Sequence, residues 1–347
     1  MQFCGEDFPL ETEEIDCVNH SVDSLAPLSR FEKLRRLRLW STDPHRNAVH
    51  LLADLSPLAD LETLEVLEIP NSEVSDLRPL IGLRNLASLD LHFTRVRDLT
   101  LLRGLSGLRK LDVSNTPVDN LNALKDLRGL TVLRLNATPV NDLTPLRGLM
   151  NLEDLGIAGT PIDDLTPIAR LKVVTEAKRL NLDGTRLTDL SGLSNAAQLK
   201  ELFLFNTPVA DLKPLARLTG LETLGLDNTP VSDLGPLKDL RRLERLTLSG
   251  TAITDLSPLS ALTNLRQLDL EGTRVTDLAP LRALTHLENL NLAGTLVRDL
   301  SPLQALRSLT FLDVQNTSIG GSQMAELKSA IPGLEVSSSL SPKGETP

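Results

Sequence analysis

Apolar residues recur along this chain at positions 1, 4, 6, 11, 14, 17 and 20 of a 22-residue frame. Three consecutive lines from residues 243–308 display it: LERLTLSGTAITDLSPLSALTN, LRQLDLEGTRVTDLAPLRALTH and LENLNLAGTLVRDLSPLQALRS. The shared pattern is L-x-x-L-x-L-x-x-T-x-V/I-x-D-L-x-P-L-x-x-L-x-x. Laid along the chain, it gives 14 units starting between Thr12 and Leu309, the first and last irregular. Two steps depart from 22. Leu34 to Leu64 is 30 residues, which places 8 extra residues within Asp43–Leu51. Leu152 to Ala177 is 25, which places 3 extra near Leu171–Ala177.

The spacing predicts the elements of each unit. Positions 4 and 6 alternate with polar neighbours, a period of two that marks a short strand with one buried face. In the unit from Leu243, Leu246 and Leu248 point inward, and Arg245, Thr247 and Ser249 outward. Position 8 carries Asn or Gly in nine units, from Asn115 to Asn316, types that tolerate positive φ. Position 9 is Thr in 12 units, and its hydroxyl is expected to turn inward onto backbone amides of the turn. Asp fills position 13 in 11 units, where an N-cap belongs. Pro at position 16 falls in the first turn, where no helical amide bond is lost. The segment is too short for a stable α-helix and predicts a 3-10 or single helical turn. One unit buries too little to offset the ordering of its own backbone, so units must stack and pair their strand edges.

Over residues 12–336 the pattern resembles the leucine-rich repeat family, and the 22-residue length with its D-L-x-P-L segment is most similar to the bacterial internalin-like class. The resemblance implies an α/β solenoid, a leucine-rich repeat horseshoe or arc, with a parallel β-sheet on the concave face and short 3-10 or helical turns on the convex side. It also implies use of the curved surface for binding. Thr stands where the family's turn usually has Asn. Residues 1–11 read as an N-terminal extension and 12–33 as a degenerate N-terminal cap repeat. The solenoid runs over 34–321 with its insertion at 43–51, and 322–336 forms a C-terminal cap, with a helix over 322–331 and a last edge strand over 334–336. A tail at 337–347 is expected to be disordered.

Charge narrows the partners. The net charge of −10 argues against nucleic acid and anionic membrane. No apolar run reaches membrane-spanning length and residues 1–11 do not read as a secretory signal. These features predict a cytoplasmic protein, with secretion by a signal-peptide-independent route as the alternative. Cys17 occupies an inward position of the first unit, so a buried free thiol is the primary expectation. A Cys4–Cys17 bridge is the alternative, and it would imply export.

Catalytic motifs are missing: no phosphate-binding G-x-x-x-x-G-K-[ST], no G-x-G-x-x-G opening a helix, no G-x-S-x-G. The five histidines are scattered, and Asp43, His45 and His50 in the insertion read as a solvated loop before they read as a metal site. The Asp column reads as capping and not as a cation ladder. No enzyme activity, cofactor or metal is expected. Positions 3, 5 and 7 of the strands hold 12 acids and six bases, which favours a partner with a basic patch. Aromatics are 2% of the chain, so their placement is informative. Trp40 stands beside Arg36 and Arg38, Phe203 and Phe205 beside Asp183, Glu201 and Asp227, while Phe311 and His92 fall on the same face. These ten residues are the candidate partner-binding set, since Trp, Phe and Arg anchor interfaces. The expectation is a monomeric, non-enzymatic protein-interaction scaffold. The alternatives are a secreted or injected bacterial virulence factor and the sensor subunit of a signalling system.

Overall fold

A computed structural model describes residues 1–20, 22–40 and 51–338, and the chain divides into two compact units at Val173/Val174. In the first unit, β1 (Gln2–Phe3) and β2 (Glu6–Asp7) make an antiparallel hairpin. It precedes a seven-stranded parallel sheet: β3 (Glu14–Val18), β4 (Arg36–Trp40), β5 (Val66–Glu68), β6 (Ser88–Asp90), β7 (Lys110–Asp112), β8 (Val132–Arg134) and β9 (Asp154–Gly156). In the second unit an eight-stranded parallel sheet runs through β10 (Arg179–Asn181), β11 (Glu201–Phe203), β12 (Thr223–Gly225), β13 (Arg245–Thr247), β14 (Gln267–Asp269), β15 (Asn289–Asn291), β16 (Phe311–Asp313) and β17 (Glu335–Ser337). Strands pair in chain order, with the position-4 leucines in register: Leu180, Leu202, Leu224, Leu246, Leu268, Leu290 and Leu312 are successive Cα partners. Stacked in this way, they and the other apolar columns are essentially free of solvent.

Each turn closes by side-chain bonds that the frame repeats. Position 8 is left-handed throughout: Asn115, Asn206, Asn228 and Asn316 have φ of 55–57°, and Gly159, Gly184, Gly250, Gly272 and Gly294 have φ of 64–70°. Phe93 (φ 56°) and Ala137 (φ 53°) hold the same conformation without the same tolerance for it. The position-9 hydroxyl turns inward as expected, but it donates to a backbone carbonyl where a bond with backbone N–H groups was expected. Thr251 Oγ1 reaches the Leu248 carbonyl at 2.6 Å, and Ser72 makes the same bond to Ile69 at 2.9 Å. The Asp column also shifts by one place. Leu55, Leu77 and their counterparts are the residues that flank the 3-10 helices, and Asp at position 13 lies one residue earlier. Its carboxylate accepts the N–H two residues on, at 2.8 Å for Asp54–Ser56 and for Asp255–Ser257. This is an Asx-type turn that leads into the helix. Asn120 does the same for Asn122 at 2.8 Å, so the bond requires an acceptor and not a charge.

Caps cover both ends of the repeats. Cys4 (φ 43°) and Gly5 (φ 82°) form the two-residue loop of the β1–β2 hairpin, the left-handed pair a type I′ turn demands. Cys4 is bonded to Cys17 of β3, with Cα atoms 6.1 Å apart. The expectation of a free buried thiol is therefore wrong: the tight turn carries Cys4 over the inward face of the first strand, a proximity that spacing did not reveal. At the other end, α2 (Gly321–Ala330) buries Leu327, and Gln323 joins it to the preceding repeat through the Leu300 N–H at 3.0 Å and the Arg298 carbonyl at 2.8 Å. Ser337, the first residue of the tail expected to be disordered, belongs to β17; residues 339–347 lie outside the described residues. The 3 extra residues near Leu171–Ala177 make one helical turn, α1 (Lys172–Thr175), with Val173 and Val174 buried. The insertion carrying Asp43, His45 and His50 lies outside the described residues, apart from Leu51.

Candidate functional site

Short strands determine what the sheet faces can offer. Each repeat strand is about three residues long, so the N–H of position 7 lies at or beyond its end. Position 5 supplies the acceptor. Asp90 takes the His92 N–H at 3.0 Å, Asp112 that of Ser114 at 2.8 Å, Asp269 that of Glu271 at 2.9 Å and Asp313 that of Gln315 at 2.8 Å. Asn181 and Asn291 do the same uncharged, for Asp183 at 2.9 Å and Ala293 at 3.0 Å. Part of the acidity read as a binding field is thus a structural device. The face still carries 12 acids against six bases.

On the first unit's face, Arg38, Glu68, Asp90, Asp112 and Arg134 are successive register partners. Arg38 reaches Asp16 at 3.7 Å and Glu68 at 3.5 Å, Arg36 reaches Glu14 at 3.0 Å, and Arg134 turns to Asp154 at 2.9 Å. Among the described residues Asp90 and Asp112 receive no guanidinium. His92 stands over them with Nδ1 2.7 Å from Asp90 Oδ1. Burial disfavours its imidazolium, but the hydrogen bond to Asp90 and the charges of Asp90, Asp112 and Glu68 outweigh it and raise the His92 pKa. Burial raises the Glu68 pKa despite Arg38. Trp40 is 40% exposed at the end of β4, two strands from His92, whose ring meets that of Phe93 edge-on at 5.8 Å between centroids. Phe93, 55% exposed, is missing from the expected set. Its signal was legible: a phenyl group in the slot that other units give to Asn or Gly.

The second unit holds six of the candidates: Asp183, Glu201, Phe203, Phe205, Asp227 and Phe311. Phe203 and Phe205 meet edge-on, centroids 5.7 Å apart. The Arg179 guanidinium lies 4.8 Å from the centre of the Phe203 ring and pairs with Glu201 at 3.2 Å. Phe205 is half-buried because its ring covers Gly225; a Cβ there would stand 2.2 Å from Phe205 Cε1. Asp183 and Asp227 are not free rim charges. Asp183 Oδ1 accepts the Phe205 N–H and Asp227 Oδ1 the Ser249 N–H, each at 2.8 Å across to the next repeat. Burial raises the pKa of both in spite of these bonds. Phe203 also lines an open cavity of about 500 Å³ with Arg179, Glu201, Glu244, Arg245 and Arg266. Arg266 is paired with Glu288, whereas Arg245 makes no ion pair among the described residues. Arg179 and Arg245 are further residues that the sequence reading left out of the set; their value depends on standing beside Phe203. Phe311, 38% exposed, is five strands from Phe203, roughly 24 Å at ordinary strand spacing, and borders a separate cavity.

Parallel three-residue strands in register, 3-10 turns and inward leucine columns in every repeat decide the class. The chain folds as a leucine-rich repeat solenoid. The family described as Leucine Rich repeats (2 copies) matches residues 197–239 and 241–283. Among solved structures this leucine-rich repeat chain is similar to an internalin (inlF) of Listeria monocytogenes, at 23% identity over 96% of this chain and 88% of that one, TM-score 0.68. It is similar also to a leucine-rich repeat protein of Leptospira interrogans, at 19% identity over 94% of this chain and 90% of that one, TM-score 0.79. The Toll–Spätzle complex of Drosophila aligns at 16% identity over 88% of this chain and 44% of that one, TM-score 0.67. No curated protein matches the chain.

Proposed function

We propose that this chain is a non-enzymatic scaffold that binds a protein partner on the strand face of its second unit, with Phe203 as the anchor. The observation that carries the reading is the Phe203 cavity, in which an aromatic ring, the unpaired guanidinium of Arg245 and the ion pair Arg179–Glu201 share one open concavity. A partner's apolar side chain would stack on Phe203 while its acceptor groups meet Arg245. Basic groups of the partner would be drawn to the surrounding face, where acids exceed bases by 12 to six over all units. Such a field raises the association rate more than the affinity. Protein-bound relatives of the same fold, the Toll–Spätzle complex among them, are consistent with this use.

The test is a pull-down from lysate of the source organism with quantitative mass spectrometry, comparing wild type with Phe203→Ala and Arg245→Ala. A protein enriched by wild type and lost with either variant supports the reading. Equal enrichment by all three removes Phe203 from the interface. Thermal melts of the variants separate lost binding from lost folding. Phe205→Ala is the poorer probe, because Phe205 also packs on Gly225.

The compartment has a reading of its own. The Cys4–Cys17 bridge favours an oxidising location over the cytoplasm expected from sequence. Thiol labelling of the native protein from its source decides it: two reactive thiols would return the chain to the cytoplasm.

A further inference from the structure

We infer that Asp90, His92 and Asp112 form a binding site for one Zn²⁺ ion on the strand face of the first unit. Each of the three offers one ligand atom, and these atoms all lie within 4.8 Å of one another. Zinc bonds of about 2.0–2.2 Å set ligand atoms roughly 3–4 Å apart, so small side-chain rotations close the set. The donors are two carboxylate oxygens and one imidazole nitrogen, a mixture that suits Zn²⁺ better than the all-oxygen cages of Ca²⁺ and Mg²⁺. Three protein ligands leave a fourth position open to the face, for water or for a group brought by another molecule.

The repeat frame supplies its own controls. Asp269 and Asp313 occupy the same strand position as Asp90 and Asp112 and make the same backbone bond. Asn181 and Asn291 make that bond without charge, so the fold does not require a carboxylate at 90 or 112. Yet Asp90 and Asp112 are direct register partners on adjacent strands, and like charges placed opposite each other oppose the pairing. The nearby guanidiniums go elsewhere, Arg38 to Asp16 and Glu68, Arg134 to Asp154. Each aspartate uses Oδ1 for its backbone bond, and Asp90 Oδ1 also meets His92 Nδ1 at 2.7 Å, so metal binding would replace a proton shared between these two groups. Among the described residues no other trio of His, Cys, Asp and Glu converges in this way.

Titration of Zn²⁺ into the full chain by calorimetry, with Co²⁺ absorbance as a second probe, tests the site. One equivalent is expected per chain. Loss of even an outer partner weakens metal sites by about 10–100-fold, so His92→Ala and Asp112→Asn should each raise Kd by at least about 100-fold. Asp112→Asn keeps the bond to the Ser114 N–H, so its melt in EDTA should match wild type. Asp269→Asn, and His45→Ala with His50→Ala, should bind as wild type. The inference is overturned if wild type takes up no Zn²⁺, if His92→Ala and Asp112→Asn bind as tightly as wild type, or if the His45/His50 pair abolishes uptake.

Discussion

At the scale of single residues, the repeat works by using the same backbone bonds and the same backbone shape at the same slot of successive units. The position-8 slot needs a left-handed backbone, and Phe93 and Ala137 fill it against their steric preference. Relieving that conformation should stabilise the fold. Phe93→Asn and Ala137→Asn, which install the residue other units use, are each expected to gain about 0.5–1 kcal/mol in urea denaturation. No gain at either position would mean that the slot is not strained. The same scale explains why the position-5 acids were misjudged. A carboxylate reads in sequence as surface charge, and only the length of the strand reveals the N–H that it satisfies. Position 8 was legible because Asn and Gly declare their backbone role wherever they occur, whereas Thr at position 9 showed that it turns inward but not which backbone group it bonds.

Among the elements, the 3-10 turns carry a pH dependence. Asp54, Asp76, Asp98, Asp142, Asp189, Asp255 and Asp299 all titrate below the usual carboxylate range, held down by hydrogen bonds from the side chain and N–H of the residue two positions on. A depressed folded pKa contributes stability above the unfolded value, near 3.8 here, and that stability is lost as pH falls through the folded values. Asp183 and Asp227 act in the opposite sense. Burial raises their pKa, so their ionised forms cost stability, and protonation on mild acidification recovers it. Stability should therefore rise slightly from neutral pH toward mild acid and fall below about pH 4. Urea midpoints measured from pH 7 to pH 3 check this; a curve already falling between pH 7 and pH 5 would contradict it. Element boundaries were largely legible, because a strand of period two followed by D-L-x-P-L admits few alternatives. The helical turn at α1 was seen only as a surplus of residues, since three residues without a pattern specify no conformation.

At the scale of the whole molecule, stability of a stacked repeat depends on its ends, where a leucine column would otherwise meet water. Cys4 and Cys17, 13 residues apart, lock the hairpin onto β3. Reduction should destabilise the N-terminal cap by about 3 kcal/mol, seen as a lower urea midpoint and lost amide protection in β3. A Cys4→Ser, Cys17→Ala variant should melt like the reduced protein and ignore reductant. An unchanged midpoint on reduction would show that the bridge does not brace the cap. The candidate site belongs to this scale too. By itself the sequence determined the repeat and its inward and outward faces, because each is a local rule copied every 22 residues until it outweighs any exception. Tertiary structure alone decided which outward residues meet. Stacking sets residues 22 apart side by side and residues 20 or 24 apart on the diagonal, so Arg179 comes over Phe203, Phe205 covers Gly225, and His92 joins Asp112. Those contacts turn on side-chain direction and on the absence of a Cβ at one glycine, which a periodic pattern of polar positions does not encode.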